Sequence, residues 1–234
     1  MDDANLEKLL NQHQWLHNML QNMPSPYRSH WEIQYFSPND SIAMQDEQVR
    51  YFHILVQGEL KVEHLLAEGY TYTIARLKPG QMIGDIELNL NRPFACQIEA
   101  ISPAILLAIK ADVYQQWIQE DAHFLAQVNK QLALKLYEMA KQSAENTYLP
   151  LRDKLLRYLY DLVKHVNFNE QVAYITTLPR LEMANQLGVT VRSINRVLKE
   201  LKEQRIIYVN KKQVILNEWS RIMIEHELEN KEQK

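Results

Sequence analysis

Apolar positions set three different rhythms along this chain. Over residues 4–22, Leu6, Leu9, Leu10, Leu16, Met19 and Leu20 recur at helical spacing and predict an amphipathic opening helix. From about residue 31 to 110 the pattern changes to short β-type runs with turn formers between them. Trp31–Phe36 is followed by Ser37-Pro38-Asn39-Asp40, Tyr51–Gln57 by Gly58, Leu60–Leu66 by Ala67-Glu68-Gly69, and Tyr70–Leu77 by Lys78-Pro79-Gly80. Cys96–Ala100 and Ile105–Ile109 flank Ser102-Pro103. Short strands so closely spaced predict an all-β barrel or sandwich.

The helical period returns from about residue 112 to 166. Leu125, Val128, Leu132, Leu136, Met139 and Ser143 lie on one stripe of a long helix free of Gly and Pro. Such a stripe can pack on its own domain or pair with a second copy, and its length between two compact flanking units favours pairing. Asn146–Pro150 predicts a hinge, and Arg152–Val166 a further amphipathic helix.

The most specific pattern follows. Ala184 lies four residues before Gly188, where a small side chain lets two helices cross closely, and Gly188 suits a turn that needs positive φ. Met183, Leu187, Val189, Ile194 and Val197 fall at the interior positions of a helix-turn-helix, Thr190 suits the N-cap of its second helix, and Leu198 and Leu201 continue the apolar face. Arg192, Ser193, Asn195, Arg196 and Lys199 occupy the opposite face, which is rich in donors for base edges and phosphates. Ile206–Asn210 and Gln213–Leu216 are β-type runs joined at Asn210-Lys211-Lys212, a basic wing.

Composition sharpens this. The 234 residues are 46% hydrophobic and 24% charged, with a net charge of −3, which fits two soluble globular domains. Residues 151–216 hold twelve Lys/Arg against six Asp/Glu, a net +6, so the remainder carries −9. The basic block coincides with the helix-turn-helix pattern and makes duplex DNA the expected partner. The single cysteine, Cys96, excludes a disulfide framework, a Cys-rich zinc site and a four-cysteine cluster. The longest apolar run is Ala104–Ile109 and the chain starts Met1-Asp2-Asp3-Ala4, so no membrane helix or secretory signal is expected and the protein reads as cytoplasmic. No P-loop, nucleophile elbow or metal-ligand spacing stands out, and the eight histidines are scattered, so neither an enzyme nor a cofactor is predicted. Only five glycines are present; four of them, Gly58, Gly69, Gly80 and Gly84, punctuate the β region.

Both halves together resemble the Crp/Fnr family of bacterial transcription regulators. The resemblance rests on Phe36-Ser37-Pro38-Asn39-Asp40, Tyr51–Gly58, Leu77-Lys78-Pro79-Gly80, Ile83-Gly84-Asp85 and Leu187–Leu198. It covers nearly the whole chain, and Ile83–Leu88 is similar to a YeiL-type branch. It implies an α+β multidomain protein: a double-stranded β-helix or jelly-roll sensor barrel over 1–112, a dimerisation helix over 113–147 and a winged helix-turn-helix over 148–234. It also implies a homodimer on a roughly palindromic operator, in contact with RNA polymerase as an activator or acting as a repressor. By the same resemblance Arg196 is expected to reach a guanine edge; Thr190, Arg192, Ser193 and Asn195 are candidates for base or phosphate contacts, and Lys199, Lys211 and Lys212 for phosphate or solvent.

Members that bind a cyclic nucleotide pair Gly-Glu with a later Arg-Ser/Thr-Ala triplet. Here Gly84-Asp85 shortens the first element, and Phe94-Ala95-Cys96 stands at the triplet. A buried phosphate there would lack both cation and hydroxyl. Met139-Ala140 aligns with the family's base-facing Thr-Ser pair on the long helix, removing those hydrogen bonds as well. A pocket lined by Gly84, Asp85, Phe94, Ala95, Cys96, Met139 and Ala140 therefore suits an apolar or thiol-reactive signal, or none, rather than cAMP. Cys96 reads as a small buried apolar residue, with redox sensing as the alternative. A cAMP-responsive regulator and a sensor-like protein that binds no DNA are the competing readings.

Overall fold

The computed structural model describes residues 3–66, 71–176, 179–210 and 213–232 and divides into two compact units, Met1–Ala140 and Lys141–Lys234. The turn at Gly69 and the wing lysines Lys211 and Lys212 lie outside the described residues.

The opening helix is broken into α1 (Asp3–Gln12) and α2 (Gln14–Leu20), followed by a single turn, α3 (Ser25–Arg28). The gap between Leu10 and Leu16 does not fit i, i+3, i+4, i+7 spacing. His13, at φ −129° and ψ 89°, makes the break that turns both apolar sets to one core.

Eight strands follow: β1 (Glu32–Phe36), β2 (Ser41–Ala43), β3 (Tyr51–Gln57), β4 (Leu60–Leu65), β5 (Thr71–Leu77), β6 (Met82–Ile83), β7 (Gln97–Ala100) and β8 (Ala104–Lys110). They form two antiparallel four-stranded sheets, ordered β1-β8-β3-β6 and β2-β7-β4-β5. These stay two sheets of jelly-roll type and do not close into a barrel. Leu55, Ala104 and Leu106 of one sheet share a core with Leu60, Leu77, Ile98 and Ala100 of the other. Phe52, Ile54, Val56, Leu107 and Ile109 point the opposite way, into a second core under the helices. A sheet covered on both faces buries consecutive residues, which is why Phe52–Val56 is buried without a break, His53 included. Each fully buried Leu, Ile or Phe there stabilises the fold by about 1.5–3 kcal/mol.

Between β6 and β7 lies α4 (Asp85–Leu90), and after β8 come α5 (Ala111–Glu120) and α6 (Ala122–Tyr148). Asp121 separates the last two: its carboxylate accepts from Phe124 N at 2.9 Å and from Trp117 Nε1 at 3.1 Å, capping α6. Stacked Trp117 and Phe124, centroids 3.8 Å apart, seat the start of α6 on the core. The long-helix stripe splits along its length. Val128 is fully buried and Leu132 packs on the same core, so these two serve their own domain. Leu125, Leu136 and Met139 are exposed, and so are Leu134 and Tyr137, which the stripe did not include. Two things divide it: Leu125 and Val128 lie on different faces of the same early turns, and from Leu134 to Ala140 the described positions of α6 other than Lys135 are exposed.

The second unit comprises α7 (Leu151–Val163), β9 (Tyr174–Thr176), α8 (Arg180–Leu187), α9 (Val191–Glu203), β10 (Tyr208–Asn210), β11 (Gln213–Leu216) and α10 (Glu218–Glu232). Its core joins Leu155, Leu156 and Leu159 of α7 to Met183 and Ala184 of α8, Ile194, Val197, Leu198 and Leu201 of α9, and Ile224 of α10. The short strands form a sheet ordered β10-β11-β9 beside the helices. Strand β9 and the C-terminal helix α10 were not anticipated.

Candidate nucleic-acid interface and sensor site

The turn between α8 and α9 is built as the sequence requires. Gly188 sits at φ +63°, ψ 39°, a left-handed conformation that would strain a residue bearing Cβ, and Val189 N donates to Ala184 O at 3.0 Å across the turn. Thr190 caps α9, its hydroxyl accepting from Ser193 N at 3.2 Å and lying 3.1 Å from Ser193 Oγ. Both hydroxyls are thus engaged in fixing the start of the helix. With Ile194, Val197, Leu198 and Leu201 buried, Arg192, Asn195, Arg196 and Lys199 are exposed together. At 3.6 residues per turn these four fall within a sector of about 100°, the width of a groove-facing stripe. Lys199 makes a long 3.8 Å contact to Glu203, an exposed pair of little strength.

Part of the basic block is already committed to structure. Arg152 donates to Glu227 at 2.8 Å and to Glu200 at 3.2 Å, and Lys164 pairs with Asp161 at 2.7 Å. Arg180, missed in the sequence, opens α8 behind N-cap Pro179. Burial lowers its pKa, and its guanidinium lies 3.8 Å from Met183 Sδ. A cation in the first turn of a helix opposes the helix dipole, so an outside anion would relieve it. A lone arginine directly after proline, eight residues before the turn glycine, was the available signal.

In the first unit, β6 runs into Gly84, whose φ of +84° starts α4. Asp85, the first residue of that helix, is 1% exposed. Its two carboxylate oxygens accept from Lys135 Nζ at 2.7 and 2.8 Å, and the same ammonium donates to Met82 O at 2.9 Å. Lys135 was not singled out in the sequence, where it is one of three lysines on α6. Asn89 Nδ2 donates to the Asp85 carbonyl at 2.7 Å and closes the short helix.

Phe94 is buried in the inter-sheet core and anchors the segment before β7 there. Ala95 is exposed, with its carbonyl 3.0 Å from His64 Nδ1, and Cys96 is half-buried. Desolvation raises the Glu87 carboxyl, while hydrogen bonds from its own and the Ala95 backbone N–H oppose that rise. Burial, and then the nearby Glu87, push the Cys96 thiol up, away from the thiolate that redox sensing needs. The structure therefore brings Gly84, Asp85, Ala95 and Cys96 around Glu87, while Phe94 turns into the core. Met139 and Ala140 are exposed on α6, and the α6 side chain that reaches the segment over 83–96, here termed the sensor cassette, is Lys135.

Comparison with known proteins places these features. Residues 33–121 match the cyclic nucleotide-binding domain and residues 153–222 the Crp-like helix-turn-helix domain. The cAMP-activated global transcriptional regulator CRP of Pasteurella multocida is 21% identical over 192 residues, which cover 81% of this chain and 92% of that protein. A transcriptional regulator of the Crp/Fnr family from Eubacterium rectale superposes with a TM-score of 0.79 at 15% identity, covering 93% of this chain and all of that one. The c-di-GMP responsive global regulator CLP of Xanthomonas campestris superposes with a TM-score of 0.70 at 18% identity, covering 81% and 95%. No helix among the described residues is long and apolar enough to cross a membrane.

Proposed function

The chain belongs to the Crp/Fnr family of transcription regulators, and from that premise we propose that it binds a roughly palindromic operator as a homodimer, under a signal other than a cyclic nucleotide or with none. The observation that carries the reading is the exposed Arg192, Asn195, Arg196 and Lys199 stripe on a capped helix whose opposite face is locked in the core. Arg196 reads a guanine, Arg192 and Asn195 read neighbouring bases or phosphates, and Lys199, Arg180 and the wing lysines Lys211 and Lys212 neutralise backbone charge.

Dimerisation places two α9 helices about one turn of DNA apart, and the exposed Leu125, Leu136, Tyr137 and Met139 of α6 supply the apolar surface for it. Residues 1–112, 113–147 and 148–234 then serve as sensor, dimer helix and DNA-binding domain, with RNA polymerase as the partner of the bound dimer. The similarity to regulators supports a non-enzymatic role. Against cAMP as the signal stand Phe94 in the core and the Asp85 carboxylate already taken by Lys135. Selection from random duplexes with the purified chain tests the function. Enrichment of a two-fold symmetric site supports it, and a pool that stays random would overturn it.

A further inference from the structure

Asp85 is the most deeply buried acid of the sensor cassette, and a carboxylate out of water needs a partner that carries both charge and N–H donors. Lys135 supplies both. Its ammonium spans the two oxygens and also holds the last-but-one residue of the cassette's entering strand through Met82 O. One side chain from the long helix therefore ties the end of β6 and the start of α4 to α6 with three short contacts.

The other half of the cassette is likewise served from within. The Ala95 backbone N–H favours the charged form of the Glu87 carboxylate, while burial opposes it. The two acids facing this space, Asp85 and Glu87, repel anions, and the positively charged side chain facing them is Lys135.

We infer that Lys135 is an internal ligand of the sensor site: its ammonium occupies the seat on Asp85, joins α4 to α6 without a diffusible effector, and leaves a primary ammonium as the ligand class able to compete for that seat. This rests on the regulator reading above, because operator binding is the output the tie controls. A quaternary ammonium, having no N–H, cannot replace it, since three acceptors must be satisfied by donated hydrogen bonds.

The test uses the full chain, its selected operator and propylammonium as probe, with sodium and tetramethylammonium at equal ionic strength as controls. Lys135→Ala should lose operator affinity by about tenfold or more, within the usual range of coupling between sites. Propylammonium should restore both its melting temperature and its operator affinity, the control salts should not, and Asp85→Asn should not respond. Should a single variant fail to fold, Asp85→Asn/Lys135→Met removes both charges together. That pair folding and binding operator as the wild type does would overturn the inference, as would a Lys135→Ala variant that gains no more from propylammonium than from sodium. A wild-type chain that prefers no DNA sequence overturns the regulator reading instead, and the propylammonium effect on melting then reads the seat alone.

Discussion

Lys135 and Asp85 are fifty residues apart in sequence and 2.7 Å apart in space, the acid 1% and the lysine side chain 19% exposed. Such a pair is less a source of net stability than a constraint, because desolvating the two charges offsets much of their attraction. Removing one partner alone leaves an uncompensated buried charge. Lys135→Met should therefore destabilise the sensor unit by about 3 kcal/mol, at the low end for a buried pair because the lysine is partly solvated. Adding Asp85→Asn to it should recover most of the loss, as urea unfolding followed by tryptophan fluorescence will show.

Charged residues on α9 should divide by role. Arg196→Ala should erase preference at one base pair of each half-site, about 1–3 kcal/mol of discrimination, in competition titrations against single-base operator variants. Lys199→Ala should weaken operator and unrelated duplex alike, and lower the slope of log affinity against log salt by about 0.9 per lost phosphate contact.

The two ends of α6 should also part. Leu136→Asp, at a side chain 70% exposed, should shift the chain to monomer in sedimentation equilibrium with little change in melting temperature. Val128→Ala, at a fully buried side chain, should cost about 2 kcal/mol of stability and leave the dimer intact.

Acid should destabilise the sensor unit through His53. This side chain is buried in β3 with Nε2 3.2 Å from Gln34 Oε1, and burial lowers its pKa to about 4. The unfolded chain takes up its proton near pH 6.5 while the folded one does not, so stability falls as pH drops from about 6.5 to about 4, by roughly 3 kcal/mol in all. Urea titrations across that window should show the fall, and His53→Leu should flatten this part of the profile.

How much of this was legible depended on whether a feature is local. Gly188, Thr190 and the α9 stripe could be read directly, because a turn, a cap and a helical period are written within a few residues of each other. The two-sheet sensor was legible as closely spaced strands, but two-residue β6 and three-residue β2 carry too little pattern to be found, and the six-residue α4 hid between β6 and β7. Lys135 was invisible because its role comes from an acid brought beside it only by the path of α6 across the domain. For the same reason a uniform stripe concealed that Val128 faces its own core and Leu136 faces outward.

In the function proposed above, α9 reads DNA sequence for a dimer that needs no cyclic nucleotide. A fluorescence anisotropy titration of the selected operator against a scrambled duplex, with and without cAMP, tests it most directly. Two chains should bind the operator tightly and the scrambled duplex much more weakly, and cAMP should move neither curve. Equal affinity for the two duplexes, or operator binding that appears only with cAMP, would contradict it.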